Sequence, residues 1–225
     1  MTDAINSPTD VPDPIERASA APDRSARKRR AVTDAATTLF LQRGYLGTSI
    51  DQIAALAGVS KPTVYRFFAD KEQLLTEIVL GTLDRRGEPF RAELAELAQT
   101  ENLSAELHAL AREYITVVTQ PAGLALRRLI IGASHQLPEL SDAYYERAQD
   151  RTLTALAEAF TQLAERGLLE IGDPLSAAAH FAFLVLGHAL DRSLFCPDSP
   201  LSEAELQRQA DAGATAFLRA YSGRA

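Results

Sequence analysis

The chain is poor in residues that build covalent or metal-centred frameworks. It holds one cysteine, Cys196, and four histidines among 225 residues. A single cysteine excludes an internal disulfide framework and leaves no second thiol for a disulfide switch within the chain. No histidines or cysteines recur at the spacing of a zinc site, so we expect no metal and no cofactor.

Long apolar runs and catalytic signatures are also missing. The longest nearly apolar stretch, 174–190, is short for a membrane span and contains His180 and His188. The N-terminus has no basic segment followed by an apolar one, so we expect no secretion, no membrane partner and a cytoplasmic location. No glycine-rich phosphate loop follows a strand and no nucleophile elbow occurs, which predicts a protein that is not an enzyme.

Lysine is scarce as well, and its placement is informative. All three lysines lie in 25–71, a segment with eight Lys or Arg and three acids. Segment 1–24 has two arginines and five acids, and segment 72–225 has thirteen arginines and twenty-two acids. Although the overall charge is −7, segment 25–71 is basic and the rest of the chain is acidic. Such a distribution is typical of a protein that binds nucleic acid through one basic module.

Helical periodicity dominates the chain after an N-terminal stretch. Segment 1–24 holds four prolines and little apolar periodicity, which predicts a disordered tail. The remainder predicts an all-α fold. Helices are expected at 26–43, 50–57, 61–68 and 71–83, and the later candidates are 89–99, 103–119, 122–136, 141–166, 174–195 and 202–221.

Capping signals support the early helices. Ser49 has Gln52 at the capping-box position, and Ser60 precedes a helix that carries Pro62 in its first turn. Gly58 supplies the turn between these two helices. Asp70 and a glutamine three residues later predict the start of the fourth helix.

The apolar pattern of 48–75 predicts a helix-turn-helix. The apolar positions of the two helices are Ile53, Ala54, Leu56, Ala57, Val59, Val64, Phe67 and Phe68. If they pack inward, the N-terminal end of the second helix presents Lys61, Thr63, Tyr65 and Arg66 outward. A recognition helix places such side chains in the major groove while the preceding helix crosses the DNA backbone.

This stretch resembles the DNA-binding domain of the TetR family. The matching residues are Thr48, Ile53, Ala54, Ala57, Gly58, Val59, Ser60, Val64, Tyr65, Phe68, Lys71 and Leu74. The preceding residues fit the family's lead-in through Ala36, Leu39, Phe40, Gly44, Tyr45, Thr48 and Ser49. Phe67 departs from the pattern, since His or Tyr is commoner there.

The resemblance implies a role for each exposed residue. Tyr65 and Lys71 are expected to hold phosphates, and Thr48 or Ser49 to contact the DNA backbone. Lys61, Thr63 and Arg66 are expected at base edges or nearby phosphates; arginine to guanine is a natural base contact. The basic run 27–30 is a further candidate for phosphate or minor-groove contact, with a merely solvated helix start as the alternative.

The resemblance also implies a C-terminal body that dimerises and holds an effector. The body is similar to the AefR-like subgroup through the Pro-Glu-Leu run at 138–140, the Arg-Gly-Leu-Leu run at 166–169 and Asp173-Pro174. Its last two helices are the expected dimer interface, through Ala178, Phe181, Leu206, Ala210, Gly213, Phe217 and Tyr221. An apolar effector pocket is expected between the middle helices, lined by Tyr114, Val117, Val118, Leu129, Ile130, His135, Leu156, Phe160, Phe183 and Leu184.

Together these expectations describe an N-terminal helix-turn-helix domain (25–71) joined to a larger helical effector-binding and dimerisation domain (72–225). The expected function is a dimeric repressor that binds an inverted-repeat operator in double-stranded DNA and is released by a small, largely apolar effector. Arg127, Arg128 or His135 could add a polar anchor for that effector. Two alternatives stay open: a DNA-binding regulator without an effector, and a helical small-molecule-binding protein.

Overall fold

The computed structural model describes residues 14–97 and 99–223, of which 14–23 and parts of 86–95 are described by their backbone only. The elements are α-helices joined by short turns, with one π-helical turn. In chain order they are α1 (Pro14–Arg43), α2 (Ile50–Leu56), α3 (Lys61–Phe67), α4 (Lys71–Leu97), α5 (Leu103–Val118), α6 (Pro121–Ala133), α7 (Pro138–Tyr145), the π turn (Glu146–Asp150), α8 (Arg151–Glu165), α9 (Pro174–Phe195) and α10 (Glu203–Tyr221).

The all-α expectation is confirmed, but two helices are longer than predicted. α1 begins at Pro14, so the expected tail overlaps this helix over 14–24, while 1–13 lie outside the described residues. The alanines of 18–21 favour a helix there despite the neighbouring prolines. α4 runs without a break to Leu97, through Gly87 and Pro89, where two separate helices were expected. Local breakers lower helix propensity, but tertiary packing can override them.

The α2–α3 turn forms largely as its capping signals predict. The Ser49 hydroxyl accepts from the Gln52 amide and the Gln52 side chain accepts from the Ser49 amide, which completes the capping box. Gly58 adopts φ 65°, a left-handed conformation that costs a glycine little. Ser60 occupies the N-cap of α3 but makes no capping hydrogen bond with its side chain. Leu56 is more than half exposed, although the pattern placed it on the apolar face.

Two apolar clusters hold the fold together. The N-terminal core joins buried side chains of α1–α3 to Leu74, Leu75 and Val79 of α4. It also includes Leu126 and Ile130 of α6 and Leu140 of α7. The expected domain boundary at residue 71 therefore cuts through a single continuous core. As a result, α4, α6 and α7 link the DNA-side helices to the body.

The C-terminal core lies among α4, α5, α8, α9 and α10. Its centre is aromatic: the Phe160 ring stacks on Phe217 at 5.0 Å between centroids, and Phe181 meets both rings edge to face. α10 approaches α9 closely at Gly213, where an added Cβ would lie 2.6 Å from the Leu184 carbonyl oxygen. Among the described residues, no helix is long and apolar enough to span a membrane.

Candidate nucleic-acid interface

Helix α3 presents a polar, cationic side to solvent. Val64 is fully buried in the N-terminal core and holds the helix from behind. Lys61, Tyr65 and Arg66 are exposed, and Thr63 is half-buried. The Arg66 guanidinium lies over the Phe67 ring, 4.9 Å from its centroid, which restrains a long side chain at the helix surface. The arrangement fits a helix that enters a DNA groove with its N-terminal half.

Lys61, the first residue of α3, is paired across the α2–α3 turn. Its ammonium donates to the Asp51 carboxylate at 3.0 Å. The hydrogen bond and the charge of Asp51 raise the pKa of Lys61. Thr63 is held at the same end, since its hydroxyl lies 2.9 Å from the Ser60 hydroxyl. Lys61 and Thr63 are thus brought together at the N-terminal end of α3, whereas Arg66, the third residue expected to contact bases, lies in its last turn.

Thr48 does not lie where a DNA contact requires it. Its residue is only 2% exposed, and its hydroxyl donates to the Gly44 carbonyl at 2.9 Å. The side chain stabilises the turn after α1, so of the two residues expected to contact the DNA backbone only Ser49 is exposed, and its contact stays a prediction. Ser49 is exposed at the N-cap of α2. Nothing in the sequence pattern distinguished the inward threonine from the outward serine.

Lys71 also has partners within the protein. Its ammonium donates to the carbonyl oxygens of Tyr45 and Thr48, both at 2.9 Å, and lies 4.1 Å from the centroid of the Tyr45 ring. Partial burial lowers the pKa of this lysine. Lys71 therefore ties the first turn of α4 to the loop between α1 and α2. Two N–H donors of the ammonium are already used in these hydrogen bonds, and the expected phosphate contact stays a prediction.

The basic run 27–30 was expected at a helix start but lies in the middle of α1. Arg29 pairs with Glu77 of α4 and lies over the Phe68 ring at 5.0 Å, and its side chain is 44% exposed. Arg27 and Arg30 are exposed. Sequence reasoning missed the structural role of Arg29 and the partners Tyr45 and Asp51. An acidic residue ten positions before a lysine carries no local signal of pairing.

Comparison with known proteins agrees with this geometry. Residues 32–78 match the profile of the bacterial regulatory proteins of the tetR family. Residues 105–223 match the profile of the C-terminal domain of AefR-like transcriptional repressors. The chain belongs to the TetR family of transcriptional regulators. The expectation of a regulator rather than an enzyme is confirmed by this membership.

Several TetR-family proteins are similar over all or part of the chain. A TetR-family regulator from Mesorhizobium loti is 40% identical, with a TM-score of 0.81 over 89% of this chain and 99% of that one. The flavonoid-responsive regulator FrrA is 32% identical, with a TM-score of 0.68 over 89% of this chain and 100% of FrrA. RutR of Escherichia coli is 32% identical over 51% of this chain, which spans about half (53%) of RutR's length.

The residues expected to line an effector pocket in this TetR-family body are not gathered around one space. Tyr114, Leu156 and Phe160 are buried in the C-terminal core, whereas Leu129 and Ile130 are buried in the N-terminal core. The remaining expected residues lie toward the surface: Val117 and Val118 half-buried, His135, Phe183 and Leu184 exposed. An apolar residue on a helix can face either of two cores, and periodicity alone does not select between them.

Neither of two surface cavities among the described residues is lined by a residue that was expected in the effector pocket. One, of about 300 Å³, lies between α9 and α10 and is lined by His188, Ala189, Leu201, Glu205, Arg208 and Gln209. The other, of about 280 Å³, lies between α4 and α5 beside four glutamates. Within the described ranges, no group of three His, Cys, Asp or Glu side chains is placed to hold a metal.

The expected dimer residues point into the protomer. Ala178, Phe181, Ala210, Gly213 and Phe217 are buried in the protomer, and Leu206 and Tyr221 pack against the C-terminal core. On the opposite side of α9 Phe183 is 65% exposed, and Phe195 at the C-terminal end of the helix is 83% exposed. The dimer interface therefore stays a prediction, and the residues named for it are used within the protomer. Both sides of α9 are apolar, so the pattern could not say which side packs inward.

Proposed function

We propose that this chain is a sequence-specific DNA-binding repressor that acts as a homodimer and is released from its operator by a small, largely apolar effector. The observation that carries DNA binding is the α3 surface. Lys61, Tyr65 and Arg66 lie outward on a helix whose other side is anchored by Val64. The basic 25–71 segment provides favourable electrostatics for phosphates, and the acidic body disfavours DNA elsewhere.

Two copies of α3 would read an inverted repeat. We assign dimerisation to α9 and α10, with the outward side of α9 around the exposed Phe183 and Leu184 at its centre. A two-fold interface buries the same patch on both subunits. Exposed large apolar side chains that cluster on one helix mark such a surface. The two recognition helices would then contact half-sites about one helical turn of DNA apart.

An effector site is proposed among α5, α6 and α7, where aromatic and cationic groups meet. Tyr114 is buried, and burial raises its pKa to about 12, so its hydroxyl stays protonated at neutral pH. Arg127 is half-buried nearby and its Nε donates to the Tyr144 hydroxyl at 3.4 Å. These groups would orient a polar end of an otherwise apolar ligand. The whole-length similarity to a flavonoid-responsive regulator favours an aromatic, phenolic compound.

The same region touches the helices that carry the DNA-binding end. Arg147 of the π turn lies 3.7 Å from Asp84 of α4, and α6 contributes Leu126 and Ile130 to the N-terminal core. A ligand that displaces α6 or α7 would therefore strain α4 and α1 directly. Because a two-fold DNA site accepts one spacing of the recognition helices, a small displacement would lower affinity.

The decisive experiment is selection of DNA fragments by the purified protein from a random library, followed by gel-shift titration. We expect an inverted-repeat consensus and a strong dependence of affinity on salt. A protein that retains no fragment, or binds every duplex equally, would contradict sequence-specific binding. Binding to a direct repeat or a single half-site would contradict the two-fold arrangement.

A further inference from the structure

The pair formed by Asp51 and Lys61 places a carboxylate at the tip of the DNA-facing helix. Asp51 belongs to the first turn of α2, and Lys61 opens α3. The atoms lie 3.0 Å apart, yet both side chains are exposed, Asp51 at 69% and Lys61 at 47%. An exposed ion pair of this kind adds little to protein stability. Asp51 nevertheless contacts Lys61, the lysine that is proposed to face DNA.

An unpaired lysine at this position would favour phosphates of any sequence. Its ammonium is a compact charge on a flexible stem, and it binds phosphate as a point charge. A carboxylate in contact with it removes one donor from use and partly cancels the charge. The same contact restrains the stem, so the remaining donors point in fewer directions. Both effects weaken contacts that are common to all DNA sequences.

We infer that Asp51 is a positioning residue that sets sequence specificity, because it holds Lys61 for base-edge contact and keeps it from acting as a general phosphate binder. The inference rests on the proposed DNA-binding function. Thr63 and Ser60 are hydrogen-bonded at the same end of α3, so this end of the helix is ordered before DNA arrives. Prior order of this kind lowers the entropic cost of a specific contact.

The test is the Asp51→Asn variant, measured against the selected operator and a scrambled duplex of equal length and composition. A freed Lys61 adds about one phosphate contact, so scrambled-duplex affinity at about 0.1 M salt should rise about five- to tenfold. The salt slope on the scrambled duplex should steepen by about one. The ratio of operator to scrambled affinity should fall by about the same factor. Equal changes on both duplexes would overturn the inference.

Asp34→Asn is the matched control. Asp34 is an exposed acid on α1, and its replacement changes the net charge by the same amount. We expect it to leave the affinity ratio within about twofold, since a surface charge outside the Asp51–Lys61 pair acts on both duplexes alike. A ratio that falls as far in Asp34→Asn as in Asp51→Asn would show a general charge effect and overturn the positioning role. Thermal melts of both variants check that the fold is retained.

The double variant Asp51→Asn/Lys61→Gln separates positioning from direct repulsion. If Asp51 acts through Lys61, the gain on scrambled DNA should disappear in the Lys61→Gln background. A gain that persists there would mean that Asp51 repels phosphates by itself, and the inference would be wrong. A wild-type protein without any preference for the operator would defeat the proposed function itself. A preference that survives Asp51→Asn would defeat only the role of Asp51.

Discussion

Arg66 is the residue whose chemistry most directly predicts base recognition. Its guanidinium rests over the Phe67 ring and keeps its donors at the surface of α3. If it makes a bidentate contact to guanine, Arg66→Ala should weaken operator binding by ~1–3 kcal/mol and relax specificity at one base pair. Gel-shift titration against single-base operator variants measures both. Arg151→Ala, which removes an exposed arginine at the start of α8, is the control, and equal losses in the two variants would contradict the contact.

Lys71 is predicted to act on stability as well as on binding. Its ammonium holds two carbonyls of the α1–α2 loop. Lys71→Met should therefore lower the free energy of unfolding by about 1–3 kcal/mol, since hydrogen bonds from a charged group are lost. Urea unfolding measures this loss. Lys61→Met, which removes an exposed lysine, should change stability much less. Unchanged stability in Lys71→Met would show that the tether is unimportant and favour a phosphate role alone.

At the scale of helices, the contact between α9 and α10 depends on a glycine. A Cβ at position 213 would lie 2.6 Å from the Leu184 carbonyl oxygen, so Gly213→Ala should force the helices apart. We expect a loss of about 1–3 kcal/mol in the free energy of unfolding, as for other overpacked cores.

Gly132→Ala in α6 is the matched change, because its Cβ would meet no atom within 4 Å. Alanine is the better helix former, so this variant should gain about 0.5–1 kcal/mol. Thermal or urea unfolding distinguishes the two outcomes. Similar effects at both glycines would mean that helix propensity, and not the close approach of α10, governs position 213.

At the scale of the molecule, two phenylalanines should separate assembly from folding. Phe183→Asp places a charge on the exposed side of α9 and should give a folded monomer, because dimerisation would bury an unpaired ion. Phe217→Asp places the charge in the C-terminal core, where the side chain is fully buried, and should unfold the body. Light scattering and circular dichroism report the two properties. Tyr145→Asp, at an exposed aromatic of α7, is the control. If Phe183→Asp remained a dimer, the dimer interface would have to lie on another surface.

The last prediction concerns the coupling between effector binding and operator binding. A phenolic or otherwise aromatic effector should lower operator affinity about 5- to 150-fold, and operator DNA should weaken the effector by the same factor, because coupling is reciprocal. Calorimetry with a panel of aromatic compounds, with and without operator, measures both directions. A tight ligand whose affinity ignores DNA would contradict effector release. A panel without any binder would favour the regulator that lacks an effector.

Local interactions explain what could be predicted from the sequence. The α2–α3 turn follows from Ser49, Gln52 and Gly58, whose contacts span only a few residues. The structure shows N-caps of the same local kind at the starts of α9 and α10, formed by Asp173 and Ser202, which sequence reasoning did not predict. Family resemblance added which helix would face DNA. The α2–α3 turn depends only on residues close together in the chain, so its prediction from sequence is confirmed, whereas the DNA-facing role of α3 stays a prediction.

The tertiary structure decided which faces meet. Phe181 and Phe183 lie two residues apart on one apolar helix, yet Phe181 is fully buried and Phe183 is exposed, because α8 and α10 cover only one side. Packing likewise turned Thr48 inward, gave Lys71 two carbonyl partners and divided the expected effector residues between two cores. The sequence by itself determined the all-α class, the α2–α3 turn and the motif that resembles a DNA-binding helix-turn-helix. Which face of a helix is buried and which is exposed depended on contacts between residues far apart in the chain, and no local pattern encodes those contacts.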